Sequence, residues 1–81
     1  MTTKNHATRV AKDITKFEDN ITRLPDTLTD HQTHVVTLAR QYYEDTKYYH
    51  DKHDDFTAFG CINYAHGLLD AILKTTQEHT P

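Results

Sequence analysis

Helix breakers are almost missing from this chain of 81 residues. Proline occurs only at Pro25 and Pro81, and glycine only at Gly60 and Gly67. A sheet domain this small needs a tight turn every few residues, and tight turns draw on glycine and proline. The scarcity therefore argues against strands joined by hairpins and points to a few long helices. The length predicts one domain over residues 1–81. Such a domain buries only about 60% of the surface its unfolded chain exposes, so its stability rests on close helix packing or on self-association.

Apolar spacing places the helices. Ala7, Val10, Ile14, Phe17, Ile21 and Leu24 recur at steps of three and four, a narrow seam along a first helix over 4–24. Thr2 or Thr3 is the expected cap, and Pro25 the expected stop. A second helix over 30–51 opens with Thr29-Asp30-His31-Gln32, a capping box. Its apolar face reads Val35, Leu38, Ala39, Tyr42, Thr46 and Tyr49, with Arg40, Glu44, Lys47 and Asp51 opposite. Asp54 or Asp55 can cap a third helix over 55–75, the most apolar of the three. Its face comprises Ala58, Phe59, Cys61, Ile62, Ala65, Leu68, Leu69, Ile72 and Leu73. Short connections make neighbours antiparallel, so the predicted fold is all-α, a three-helix up-and-down bundle. Residues 76–81 are expected to fray.

The stretch 41–71, QYYEDTKYYHDKHDDFTAFGCINYAHGLLDA, carries a resemblance. A Tyr-rich helix with a central Asp leads through a turn holding an Asp. The pattern Phe-Thr-Ala-Phe-Gly-x-Ile-Asn-Tyr-Ala-x-Gly-Leu-Leu-Asp-Ala follows, met here at Phe56–Ala71. In these features the chain resembles the archaeal domain of unknown function 357. The resemblance implies a small three-helix bundle of archaeal origin and implies no activity. His53 departs from it, because the family pattern has glycine in that turn. A non-glycine residue is less comfortable in a left-handed cap.

Polar groups bordering the face between helices 2 and 3 supply the candidate binding residues: Tyr42, Asp45, Asn63, Tyr64, His66 and Asp70. Asp45 is expected to accept a phenol hydrogen bond from Tyr64 or Tyr49, since buried tyrosine hydroxyls need partners. Phe56, Gly60, Asn63, Gly67, Asp70 and Lys74 share one side of helix 3. A glycine inside a helix costs about 1 kcal/mol relative to alanine, so Gly60 and Gly67 call for a compensating close approach. That approach is tight packing on another helix, a self-association groove, or a small-ligand groove with Asn63 and Asp70 as handles.

Chemistry is thinly signalled. His31 with His34, and His50 with His53, have i,i+3 spacing, but both pairs fall at helix ends without a cysteine cluster, so no metal and no cofactor is expected. Protonating all seven histidines moves the formal charge from −3 to +4, with a sign change and a solubility minimum near pH 6. The chain has no serine, Cys61 reads as a small core residue, and an Asp70-oriented His66 lacks a nucleophile beside it, so no enzyme is expected. Twelve acidic against nine basic residues argue against DNA binding. No apolar run approaches the roughly 20 residues of a membrane span, and residues 1–9 lack a signal-peptide core. The single cysteine fits a reducing cytoplasm. The leading expectation is an interaction module that binds itself or a partner helix. The alternative is a nucleotide- or RNA-binding regulator, because the Tyr-rich helix and the following turn distantly resemble helical modules of toxin–antitoxin systems. The Arg-then-His motif of those nucleases is not matched at Arg9, Arg23 or Arg40, so nuclease activity is not expected.

Overall fold

A computed structural model of the chain describes residues 2–77, with side chains from His6 to Thr76. It contains three helices, α1 (Thr2–Ile21), α2 (Asp30–Asp51) and α3 (Asp55–Gln77), and no strand among the described residues. Contacts fix their directions. Phe17 of α1 stacks on Tyr43 of α2, Tyr42 of α2 meets Tyr64 of α3, and His50 at the end of α2 lies beside Asp55 at the start of α3. Arg9 lies over Phe59, and Asp13 meets His66, so α1 and α3 run parallel with α2 antiparallel to both. The result is the expected up-and-down bundle. α2 and α3 share the most extensive interface, and α1 leans mainly on α3.

The α2 boundaries match expectation because the capping box forms. The Gln32 amide donates to Thr29 Oγ1 at 3.0 Å, and the Thr29 amide donates to Gln32 Oε1 at 2.9 Å. α1 differs at both ends. Thr2 and Thr3 are helical rather than caps, and the α-helical pattern stops at Ile21, short of Leu24. The Thr22 hydroxyl donates to the Asp19 carbonyl at 2.6 Å, competing for that acceptor, and the Arg23 amide turns to Asn20 instead. The chain then reaches Leu24 through i→i+3 bonds, the tighter turn that often closes a helix. Later in the chain, α3 is helical through Thr76 and Gln77, which were expected to fray; 78–81 lie outside the described residues.

The α2–α3 turn is a Schellman motif. The Asp54 amide donates to the Tyr49 carbonyl at 2.9 Å, and the His53 amide donates to that of His50 at 3.1 Å. His53 holds φ 63°, the left-handed conformation in which glycine is usual. The turn thus survives the departure from the family pattern. Asp54 then caps α3, its carboxylate accepting the Thr57 amide at 3.2 Å.

The core gathers Phe17, Ala39, Ile62, Ala65, Leu69 and Leu73, with Ile14, Ile21, Leu24, Tyr42, Tyr43 and Leu68 against it. The α1 seam is as read, with Val10 and Phe17 fully buried. On α2 the buried valine is Val36, not Val35, because the face is centred on the 36–39–46 line. Thr46 is buried without penalty, its hydroxyl donating to the Tyr42 carbonyl at 2.7 Å. Phe59, expected on the core face, points outward. Close helix approach is carried by Ala39, Ala58 and Ala65, each wholly buried. Gly60 and Gly67 are exposed, and a methyl group added to either would meet nothing within 4 Å. The expected tight packing at the glycines is therefore overturned: alanine already lets the helices close, and the glycines lie on the outer side of α3.

Candidate functional site

The outer side of α3 carries two different surfaces. Its N-terminal half is aromatic. Phe56 is 91% exposed, Tyr64 52% and Phe59 39%, with Gly60 between them. The Tyr64 ring stands edge-on to Tyr42, centroids 4.6 Å apart, and half-buried Cys61 lines the same surface. Beside it, a hollow of about 300 Å³ opens between the starts of α1 and α3, walled by His6, Arg9, Asp55, Phe56 and Phe59. The Arg9 guanidinium lies 5.8 Å from the centre of the Phe59 ring.

The C-terminal half of α3 is polar and faces α1 across a groove of about 630 Å³. Asn63, His66 and Asp70 line it, so the candidate residues divide between two sides of α3: Tyr42 and Tyr64 on the α2 side, these three on the α1 side. The His66 ring is oriented by the Asp13 backbone, not by Asp70. Its Nε2–H donates to the Asp13 carbonyl at 2.9 Å, and the ring meets Phe17 edge-on at 5.8 Å. A carbonyl can only accept, so this bond selects the Nε2-protonated tautomer of the neutral ring.

Asp45 is exposed and accepts no phenol hydrogen bond among the described residues. The phenol–carboxylate bond between helices is made elsewhere, by Tyr43 to Glu18 of α1. Burial, and then the Glu18 carboxylate, push the Tyr43 hydroxyl above its ordinary range, while the Lys47 amine 4.6 Å over the ring acts in the opposite sense. Sequence reasoning missed this pair. No sequence signal links them, since they lie 25 positions apart on different helices.

A family model described as a protein of unknown function (DUF357) matches residues 4–75. This chain belongs to the DUF357 family. The match spans all three helices, well beyond the stretch 41–71 that carries the resemblance in the sequence. No curated protein and no solved structure matches the chain.

Within this DUF357 bundle, metal-binding and nucleophilic side chains are dispersed. Among the described residues, no three of His, Cys, Asp and Glu converge as metal ligands, and no helix is long and apolar enough to cross a membrane. His31 and His34 are exposed. The His50 Nδ1 lies 3.5 Å from the Asp55 carboxylate, while His53 is exposed in the turn. Cys61 sits on the α2 side of α3, and His66 on the α1 side. Burial, followed by the Asp45 and Asp54 carboxylates, pushes the Cys61 thiol up, which keeps it protonated and poorly nucleophilic near neutrality. Iodoacetamide should therefore alkylate Cys61 several-fold more slowly in the folded chain than in the same chain under denaturant. Asp45→Asn should recover part of the rate. Equal rates in the folded and denatured chain would rule out this account of the thiol.

Proposed function

We propose that this DUF357 chain is a non-enzymatic interaction module that pairs with a second copy of itself through the aromatic end of α3. The observation that carries the reading is Phe56, a phenyl side chain 91% exposed beside a hollow large enough to receive one. Buried aromatic rings each remove roughly 150–250 Å² from water, so leaving one bare forgoes a large stabilisation. Knob and hollow belong to the same patch. A two-fold axis through the patch seats Phe56 of each copy in the hollow of the other, the self-complementary arrangement of an isologous interface. Arg9 lines the hollow as well, a cation placed to border the seated ring. The chemistry supports binding rather than turnover, because His66 is held by a backbone carbonyl and Cys61 stays protonated. The reading places the chain in a reducing cytoplasm, supported by the lone cysteine, and retains the archaeal origin implied by the family resemblance.

The test is sedimentation equilibrium of the full chain in the micromolar range, alongside Phe56→Glu. The wild type should be dimeric and the variant monomeric, with the same thermal melt, since Phe56 contributes nothing to the core. A monomeric wild type, or a variant that still dimerises, would refute the proposal. The nucleotide-binding alternative finds its support in the other half of α3, where the groove gathers cations.

A further inference from the structure

The contact of Asp13 with His66 sets the register between the two parallel helices. Lys16 then lies level with Asp70, Asn20 with Leu73 and Lys74, and Arg23 just beyond the end of α1; all of these line the groove. Three of the nine basic residues of a chain with net charge −3 thus converge on one cleft. Asp13 stands three residues before Lys16, and Asp70 four before Lys74, spacings that suit ion pairs along a helix. Yet among the described residues no carboxylate lies within 4.0 Å of Lys16, Arg23 or Lys74. Among the described residues, then, these cations line the groove and are not spent on helical neighbours.

We propose that this groove binds a phosphorylated small molecule of the nucleoside diphosphate class. Phosphate oxygens take the end walled by Lys16, Arg23 and Lys74, where three cations outnumber the single Asp70 carboxylate and the Arg23 fork can engage two oxygens. Toward the Asp13 end the wall changes character. Asn63 offers both a donor and an acceptor, and the Asp13 carboxylate accepts, which suits the hydroxyl and amino groups of a nucleoside and repels a second phosphate. From Asp13 to Arg23 the groove runs about 15 Å at 1.5 Å per residue, room for one nucleotide. A longer polyanion gains little, because α3 continues beyond the groove as the aromatic Phe56 surface and the chain as a whole is acidic.

Titration of the isotope-labelled full chain at low ionic strength, followed by amide shifts, tests this with ADP, pyrophosphate, adenosine and oligouridylate as probes. ADP should move amides over 16–23 and 63–74, pyrophosphate should move only the Lys16–Arg23–Lys74 end and bind more weakly, and adenosine should move none. The double variant Lys16→Glu, Lys74→Glu should bind ADP at least about tenfold more weakly with an unchanged melt, since both side chains are exposed. Phe56→Glu should bind ADP as the wild type does, which separates this site from the dimer contact. Silence toward both ADP and pyrophosphate, undiminished ADP binding by the double variant, equal binding of adenosine, or preference for the oligonucleotide would each overturn the proposal.

Discussion

Phe17→Ala should destabilise the chain by about 3–5 kcal/mol, enough to unfold it at urea concentrations that leave the wild type folded. Phe17 is 1% exposed, stacks on Tyr43 with ring centroids 4.8 Å apart, and meets the His66 ring edge-on. It is the place where side chains from all three helices touch. Truncating a buried phenylalanine costs about 3–5 kcal/mol. A domain of this size has roughly 4–12 kcal/mol in total, at about 0.05–0.15 kcal/mol per residue. The expected loss is thus a large part of the whole, and it falls on the helix with the narrowest apolar seam. Two further ties of α1, the Tyr43–Glu18 bond and the His66 bond to the Asp13 carbonyl, flank Phe17 and lose their support with it. Urea unfolding followed by far-ultraviolet circular dichroism measures the effect. Phe17→Leu, which keeps most of the volume, should cost much less. A Phe17→Ala chain within about 1 kcal/mol of wild type would show that α1 is held by something other than this contact.

The double substitution Gly60→Ala, Gly67→Ala should act in the opposite direction. Both positions are helical, both are exposed, and neither would bring a new methyl group within 4 Å of a neighbour. Alanine is favoured over glycine in a helix interior by about 1 kcal/mol, and the sites lie two turns apart, so the gains should add to about 2 kcal/mol. Part of that gain arises in the unfolded chain, which has fewer conformations to lose. The same unfolding experiment detects it as a raised midpoint with an unchanged slope. A destabilised double variant would mean that the glycines face a helix rather than solvent, as the sequence pattern first suggested.

Much of the fold was legible because it depends on local chemistry. The capping box at Thr29 and Gln32 sets the start of α2, and the three-four spacing of Val10, Ile14, Phe17 and Ile21 sets the buried edge of α1. What could not be read was decided between helices. Spacing gives a face but not its centre to within one residue, which is why Val36 rather than Val35 is buried. Composition says that some small residue permits close approach, and glycine is the obvious candidate. The structure uses Ala39, Ala58 and Ala65. The six candidate binding residues were read as one border along helices 2 and 3. A helix has neighbours on two sides, and Asn63, His66 and Asp70 turn toward α1. Tyr43 and Glu18 pair across 25 positions of sequence, a distance at which no periodicity is informative.

A bundle of three alternating helices has an odd number of peptide dipoles, so one remains uncancelled. Each helix carries roughly half a positive charge at its N-terminal end and half a negative one at its C-terminal end. α1 and α3 point the same way, leaving the end that holds their N termini as the positive pole of the molecule. Asp54 caps α3 there, Asp55 lies in its first turn, and Asp51 ends the returning helix beside them. At the opposite pole Lys74 occupies the last turn of α3, and Arg23 follows the end of α1. The third helix is therefore the one whose side chains oppose its own dipole at both ends, whereas α1 has no acidic residue in its first turn and no basic one in its last.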